Sequence, residues 1–190
     1  GITFDALVQN HNTMPLAGIE EPRIGYADLQ FPTPTGRMEI YYEPQHHSGQ
    51  ALPQWEENNE VFDGNPLMEK YPLQLAQTRT RFFVHSHFRG AAWLYTPRIE
   101  LNPQAMAERG LEDGDAVEVF NDRGSFSCQA FGNNAIRPTS ARIYEAAWSK
   151  DCISGNPQNV TNDHVNERDA DLLTGAPIPF NDTLVEVRKA

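Results

Sequence analysis

Cysteine, long apolar runs and positive charge are all scarce in this 190-residue sequence, and each scarcity excludes a class of protein. The two cysteines, Cys128 and Cys152, stand far apart and outside any CxxC pattern, which excludes a disulfide framework and a cysteine metal cage. No stretch approaches the roughly 20 apolar residues of a membrane helix, so direct membrane insertion is not expected. The net charge of −11 argues against nucleic acid as a partner.

Familiar catalytic motifs are missing as well. The sequence contains no GxSxG, HExxH or Walker-type phosphate loop, and we assign no catalytic residue and no metal ligand. His85-Ser86-His87 would place two imidazoles on one face of a strand, but no third ligand stands at a local spacing, and hydrogen-bonding histidines explain the tripeptide better. Gly124-Ser125 resembles a self-cleaving pair that generates a pyruvoyl group, although a tight turn before a strand explains it without chemistry.

The positive charge that is present lies in two islands. Residues 71 to 99 contain no acid and carry +4, so the other residues carry −15 within a net charge of −11; the four arginines are Arg79, Arg81, Arg89 and Arg98. A second acid-free stretch, residues 132 to 144, holds Arg137 and Arg142. Basic islands in an acidic protein can focus an anionic ligand. The charge pattern alone favours a plainer interpretation, in which these arginines pair with acids elsewhere in the fold.

After Pro72 the chain alternates short strands with turns. The periodicity predicts strands over residues 73–76, 81–88, 98–101, 116–120, 125–131, 139–146 and 183–187. A helix is predicted from the N-cap Asn102 and Pro103 to the stop at Gly110. Many short strands with few helices and no βαβ alternation predict a mainly β fold, a small barrel with short helices.

Residues 1 to 70 are different in character, being rich in Pro, Gly, Asn and His. The pattern predicts one short strand over 37–42 and an exposed acidic loop over 54–64. An irregular lead-in of this length is unusual for a free-standing domain. We therefore expect residues 1–70 to form an irregular N-terminal strap that packs on upstream domains, and residues 71–190 to form the barrel.

Two segments carry the side chains that an anionic heterocyclic ligand needs. The run from Thr78 to Arg81 directly follows a predicted strand, where hydroxyl and guanidinium groups can bind phosphate or the polar edge of a heterocycle. Asn156 and Asn159 lie in an Asn-rich loop and offer both donors and acceptors, as reading a purine or pterin edge requires. An exposed basic hairpin and an ordinary loop are the alternatives.

Taken in chain order, these pieces resemble one family. Residues 31–39 read FPTPTGRME and are similar to its FPTPSGKIE lead-in, and residues 99–115 are similar to its INPxDAxxRGIxDGD helix unit. Its opening barrel segment is matched by Pro72-Leu73-Gln74-Leu75 with Thr78-Arg79 and His85-Ser86. Its hairpin is matched by residues 117–124, and its closing pattern by Trp148, Asn159-Val160-Thr161 and residues 181–187. The sequence thus resembles the C-terminal molybdopterin dinucleotide-binding domain of the dimethyl sulfoxide reductase superfamily. It departs from the pattern at His87, where the family often has Gln-Phe, and at Val160 in the NxLT motif.

The resemblance implies a double-psi β-barrel and a cofactor. That cofactor is a bis-molybdopterin guanine dinucleotide carrying molybdenum or tungsten, held jointly with upstream domains. The metal-ligating residue of the family lies upstream, so this chain is not expected to catalyse a reaction on its own. The expected cofactor contacts are Thr78, Arg79, Arg81, His85, Ser86, Asn156 and Asn159.

The resemblance also bears on partners and on competing functions. It implies upstream domains of the same full-length chain as partners and leaves room for an iron–sulfur electron-transfer subunit. The cytoplasm and the periplasm of a prokaryote both stay open as compartments. The alternative function is a free-standing barrel that acts as a binding or adaptor module, or as a small metal or pyruvoyl enzyme.

Overall fold

The structure is a computed structural model that describes residues 2–16, 18, 24–81, 84–88, 96–145, 147–166, 176, 178–179 and 181–190. The chain divides into two compact units, Gly1–Gln54 and Trp55–Ala190. Arg89 and part of the predicted strand over 81–88 lie outside the described residues.

The first unit has little regular structure. Its described residues form helix α1 (Phe4–Gln9) and a 3-10 helix over Glu43–Ser48. The strand predicted over residues 37–42 is wrong, because the segment is held by local contacts and pairs with no other strand among the described residues. Thr33 Oγ1 donates to the Arg37 carbonyl at 2.6 Å, and Thr35 Oγ1 donates to the Glu39 carboxylate at 2.9 Å, which favours a turn.

The second unit holds the remaining helices and all the strands of the described residues. The α-helices are α2 (Leu67–Lys70) and α3 (Pro103–Glu108), and short 3-10 helices cover Ser149–Asp151 and Pro157–Asn159. The strands are β1 (Leu73–Thr78), β2 (Arg98–Leu101), β3 (Ala116–Phe120), β4 (Ser125–Gly132), β5 (Ser140–Tyr144), β6 (Ser154–Gly155) and β7 (Leu184–Lys189).

Six of these strands close into a barrel. Their order is β2-β5-β1-β7-β3-β4, and the additional pairing of β2 with β4 joins the two edges. Strands β1 and β5 are parallel, as are β2 and β4, while the other neighbours run antiparallel. The short β6 adds to β4 outside the closed ring. The mainly β, double-psi barrel that the sequence predicts is confirmed.

The barrel interior is filled by alternate residues of each strand. Strand β4 shows this most clearly, since Phe126, Cys128 and Ala130 are buried while the residues between them are not. The other inward side chains are Leu73, Leu75, Ile99, Leu101, Val117, Val119, Ala141, Ile143, Val185 and Val187. A closed six-strand ring leaves no room for a channel, so apolar burial of about 1.5–3 kcal/mol per large side chain stabilises the scaffold.

The predicted helix is confirmed as α3. Asn102 caps it by accepting a hydrogen bond from the Gln104 amide at 2.9 Å, and Pro103 occupies the first turn. Gly110, at φ +62°, adopts the left-handed conformation that ends the helix.

Two expectations for irregular segments are wrong. Where the structure describes the predicted strand over 81–88, at residues 81 and 84–88, it shows an isolated bridge between Val84 and His87 and no strand. His85 (φ +50°) and Phe88 (φ +59°) have left-handed backbones that a strand does not accommodate. His85 and His87 therefore do not share the face of a strand.

The predicted exposed loop over 54–64 is wrong at its centre. Glu60 is 8% exposed, accepts a hydrogen bond from the Leu184 amide at 3.0 Å and forms an ion pair with Arg123. The Asp182 carboxylate accepts hydrogen bonds from the amides of residues 59, 60 and 61 at 2.7 to 3.1 Å. This segment is thereby fixed to the barrel within the second unit.

Candidate functional site

The parallel pairing of β1 with β5 brings two strand ends together. Thr78 lies opposite Tyr144 in the register, and the Glu145 amide donates to the Thr78 carbonyl at 2.8 Å. Because the carboxyl ends of parallel strands meet at one edge, Arg79 and Glu145, which follow the two strands, lie side by side.

A cavity of about 220 Å³ opens at this edge. Its walls combine side-chain amides, a phenol, an indole and a carboxylate, from Gln77, Ile143, Tyr144, Glu145, Ala147, Trp148, Asn156, Pro157 and Gln158. Amides supply donors and acceptors to the edge of a heterocycle, and aromatic rings supply flat apolar surface to its face.

A guanidinium and an imidazole face the carboxylate of Glu145. Arg79 Nε lies 3.4 Å from Glu145 Oε1, and His85 Nδ1 lies 4.0 Å from Glu145 Oε2. The side chains of Arg79 and His85 are both 66% exposed, so either can reach a ligand that approaches from solvent.

The hydroxyl of Thr78 supplies evidence that a ligand fits here. Its Oγ1 atom is buried, yet it has no hydrogen-bond partner among the described residues. Leaving a buried hydroxyl unpaired costs about 1–3 kcal/mol, and native proteins rarely tolerate it without a reason. A polar ligand group that reached this atom would satisfy it, and the neighbouring residues Gln77 and Arg79 carry amide and guanidinium donors that suit phosphate and pterin or purine oxygens.

The Asn-rich loop contributes one wall of the cavity. Asn156 caps the 3-10 helix by accepting from the Gln158 amide at 2.8 Å, and its Nδ2 donates to Ser149 Oγ at 2.9 Å. Asn159 instead turns towards the β3–β4 hairpin, where its Nδ2 donates to the Ser125 carbonyl at 3.0 Å.

The predicted contact residues are therefore partly brought together. Thr78, Arg79, His85 and Asn156 gather around the β1–β5 edge. Among these seven residues Asn156 alone lines the cavity, whereas Arg79 and His85 lie beside Glu145 in its wall, and Arg81 and Ser86 are exposed. The role of all seven as ligand contacts stays a prediction.

Sequence reasoning missed several residues of the cavity wall as contacts, chiefly Gln77, Tyr144 and Glu145. Glu145 entered only as a member of the predicted 139–146 strand, which ends at Tyr144. One feature could have identified it: Glu145 is the first acid after the acid-free stretch 132–144, and it stands where a strand ends.

Other arginines of the basic islands are structural. Arg98 and Arg142 both pair with Glu100, which is 3% exposed and also accepts from Asn133 Nδ2 at 2.8 Å. Burial raises the pKa of Glu100, but the hydrogen bonds from Asn133 and Arg142 outweigh it, so the pKa lies below its ordinary value. For these arginines the plainer interpretation, pairing within the fold, is confirmed.

A second cavity of the barrel unit has the wrong charge for an anionic cofactor. It measures about 340 Å³ and is lined by Glu56, Glu57 and Asp182 together with amide and apolar residues. Three carboxylates would repel a pyrophosphate. Within the described ranges, no group of three or more His, Cys, Asp or Glu side chains is placed to hold a metal ion. The helices that the structure describes are all too short or too polar to span a membrane.

The comparisons with known proteins agree on one family. The family model for the molydopterin dinucleotide binding domain matches residues 73–182. The chain is 28% identical over 202 residues to a putative dimethyl sulfoxide reductase catalytic subunit of Halobacterium salinarum, covering 100% of this chain and 23% of that protein. It is 32% identical over 177 residues to trimethylamine-N-oxide reductase 1 of Escherichia coli K12, covering 83% of this chain and 20% of that protein.

A solved structure supports the fold. Acetylene hydratase from Pelobacter acetylenicus superposes with a TM-score of 0.63 at 22% identity, covering 88% of this chain and 25% of that one. At 22% sequence identity, this structural similarity shows a shared fold and nothing about function.

The chain belongs to the molydopterin dinucleotide binding domain family. It matches the C-terminal part of molybdenum oxidoreductases such as the dimethyl sulfoxide and trimethylamine-N-oxide reductases. Membership implies molybdopterin guanine dinucleotide with molybdenum or tungsten as the cofactor, as the sequence predicts. The alternative of an independent adaptor or a small metal or pyruvoyl enzyme is not favoured. The chain spans about a fifth of the length of the curated relatives it matches.

Proposed function

We propose that this chain closes over the dinucleotide cofactor of a molybdenum or tungsten oxidoreductase of the dimethyl sulfoxide or trimethylamine-N-oxide reductase type. The observation that carries the proposal is the β1–β5 edge. There, a cavity lined by Gln77, Glu145 and the amides of the Asn-rich loop adjoins the strand end that carries Arg79 and the unpaired buried hydroxyl of Thr78, and Arg79 lies against Glu145.

Each side chain at this edge has a role that follows from its chemistry. Arg79 and His85 would hold the pyrophosphate, since charge-assisted hydrogen bonds to phosphate are the strongest available. Gln77 and Asn156 would satisfy the polar edge of a heterocycle, and Trp148 would cover its face.

The remaining predicted contacts have supporting roles in this proposal. Arg81 and Ser86 are exposed in the neighbourhood of His85 in the sequence and would add donors at the rim. Asn159 would fix the loop that carries Asn156, because its amide ties the loop to Ser125. The bound metal supplies the electron-transfer chemistry, and this chain supplies binding and orientation.

The first unit supports the proposal that upstream domains are partners. Its large apolar side chains are mostly exposed: Phe4 at 79%, Ile24 at 76% and Ile40 at 75%. So many exposed large apolar side chains in one small unit suit a surface that another domain covers. We therefore propose that residues 1–70 form a lead-in to the barrel of residues 71–190, and that its part within the first unit lies as a strap on upstream domains of a longer chain, while its end, from Trp55, is held on the barrel. We also propose that an iron–sulfur subunit supplies or removes electrons.

Guanosine diphosphate tests the proposal directly, because it carries the guanosine and pyrophosphate parts of the cofactor. Calorimetric titration of the 190-residue chain should give saturable binding, which Arg79→Gln weakens roughly 5- to 20-fold by removing a partly exposed charge-assisted contact.

Arg188→Gln is the matched control. The Arg188 side chain is 62% exposed against 66% for Arg79, and it also pairs with one glutamate, Glu118. It should leave the affinity unchanged. Equal affinities for all three proteins would refute the proposed contact.

A further inference from the structure

We propose that Glu145 is an internal anion that neutralises the cationic edge until the pyrophosphate of the dinucleotide displaces its carboxylate. The inference rests on the proposed function, since it names a regulator of the same site. It assigns to Glu145 the role of a competitor for Arg79 and His85 and not that of a ligand contact.

The geometry of the carboxylate motivates this role. Its two oxygens face two different side chains, the guanidinium of Arg79 at 3.4 Å and the imidazole of His85 at 4.0 Å. Charge-assisted hydrogen bonds between such groups are shorter, about 2.7–2.9 Å. Glu145 therefore neutralises the charge of Arg79 and occupies the space beside His85 without being tightly bound to either side chain.

The backbone of Glu145 is fixed while its side chain is not. The amide is tied to the Thr78 carbonyl at 2.8 Å, which keeps the residue at the edge of the barrel. Among the described residues, none donates a hydrogen bond of normal length to its carboxylate. Glu100 differs sharply, because Asn133 and Arg142 both donate to its carboxylate. Rotation of the Glu145 side chain therefore costs little.

The exchange of one anion for another is favourable for the right ligand. Pyrophosphate carries more negative charge than a carboxylate and offers several acceptor oxygens to Arg79 and His85. A small anion gains only these contacts and must still displace Glu145. A dinucleotide gains further contacts from Gln77 and Asn156 in the cavity. The internal anion thus selects for a ligand that uses the cavity and discriminates against free phosphates.

Glu145→Gln tests this role, because the amide keeps the shape of the side chain and removes its charge. Calorimetric titration at low ionic strength should show tighter binding of guanosine diphosphate, and also of inorganic pyrophosphate, by roughly two- to fivefold, the range expected for an exposed ion pair. Glu118→Gln is the control, since its side chain is 27% exposed against 31% for Glu145 and also pairs with an arginine. It should change neither affinity.

The double variant Arg79→Gln/Glu145→Gln separates a local role from a general charge effect. The gain seen with Glu145→Gln should vanish in the Arg79→Gln background, because no guanidinium remains to be released. A gain of the same size in both backgrounds would overturn the inference. So would weaker binding of guanosine diphosphate by Glu145→Gln, which would make Glu145 an orienting or contact residue. Thermal unfolding of each variant verifies the fold.

The same data distinguish the inference from the proposed function. If the parent chain does not bind guanosine diphosphate but Glu145→Gln binds pyrophosphate in an Arg79-dependent manner, the proposed function fails and the competitor role stands. If neither protein binds either ligand, both fail. If the parent chain binds and Glu145→Gln binds no tighter, the inference alone is wrong.

Discussion

Three glutamates of the barrel unit differ in how firmly the fold holds them, and the difference separates structural carboxylates from the one at the candidate site. Glu60 and Glu100 are buried and accept hydrogen bonds from several donors each. Glu145 is partly exposed and faces Arg79 and His85 at longer distances. Buried charges need such partners, because an unpaired one costs several kcal/mol.

Glu60→Gln should destabilise the barrel although residue 60 lies outside the predicted barrel segment. The change removes the charge that pairs with Arg123 and weakens the acceptor of the Leu184 amide. Loss of hydrogen bonds to a charged group predicts a decrease of about 1.5–3 kcal/mol in the free energy of unfolding, measured in urea. Glu57→Gln, exposed in the same segment, should change it by less than about 0.5 kcal/mol. Equal effects of the two would show that segment 59–61 is not fixed as described.

Glu100 predicts a pH dependence with a definite sign. Its pKa in the folded state is lowered below the ordinary value of 4.5, so its contribution to stability is present above that pH and is lost as the pH falls below it. The difference in free energy of unfolding between the parent chain and Glu100→Gln should therefore shrink between about pH 5 and pH 3. A difference that stays constant or grows in acid would contradict the hydrogen-bonding scheme around Glu100.

At the scale of elements, the candidate site depends on how strands and loops end. The β1–β5 edge is formed by two strand ends, and the opposite wall of the cavity is the loop that follows β6. Strand β6 pairs with β4 through Gly155 opposite Phe126. The packing of this short strand on the barrel therefore sets where Asn156 stands.

Gly155→Ala should weaken both the fold and the site. Gly155 has φ +66°, and an added Cβ would come within 2.7 Å of the Ser125 carbonyl oxygen. Gly114→Ala is the control, because Gly114 has φ +88° with open space around it and so suffers the backbone cost alone. We expect Gly155→Ala to lose about 1–3 kcal/mol more than the control in urea unfolding, and to bind guanosine diphosphate more weakly. Equal losses of unfolding free energy in the two variants would mean that β6 shifts to make room for the added Cβ at no cost in stability.

The reactivity of the two cysteines measures how accessible β4 and the segment before β6 are to a thiol reagent. Burial raises the pKa of Cys128 to about 12, and burial also raises the pKa of the half-buried Cys152. Thiolates react with alkylating reagents and thiols do not, so at about pH 7.5 Cys152 should be labelled slowly and Cys128 only after unfolding. Peptide mapping of the labelled chain, with Cys152→Ser as the control, measures this. Labelling of both at one rate would show that β4 opens readily.

The elements that could be predicted from the sequence are those set by local patterns. Alternation of Val117 with Val119 and the turn over residues 121–124 specify a hairpin, and Asn102-Pro103 specifies a helix start. The cavity could not be predicted from local patterns, because it arises from the parallel pairing of β1 with β5, two strands that are remote in the sequence. Arg79 and Asn156 could be chosen by chemistry, whereas Glu145 looks like any acid that follows a strand. The alternation over residues 81–88 predicted a strand wrongly, because nothing in the local sequence indicates that His85 adopts a left-handed backbone conformation.

At the scale of the whole molecule, charge and apolar surface are divided between different regions. The described residues of the first unit expose large apolar side chains, and the barrel unit carries the cationic edge in a chain of net charge −11. The chain covers only 23% and 20% of two relatives that it resembles. An irregular unit with exposed apolar side chains and a barrel unit of the cofactor-binding family, within one piece, are consistent with the proposal that the chain functions as part of a longer enzyme.

The central claim is that the β1–β5 edge binds the dinucleotide, and a nuclear magnetic resonance titration tests it most directly. Guanosine diphosphate is added to the ¹⁵N-labelled chain, and the amide shifts are mapped onto the described residues. We predict saturable changes at residues 77–79, at Glu145 and at residues 156–158, and none at the acidic cavity around Asp182. Changes centred on that cavity, or no saturable change at any residue, would contradict the claim.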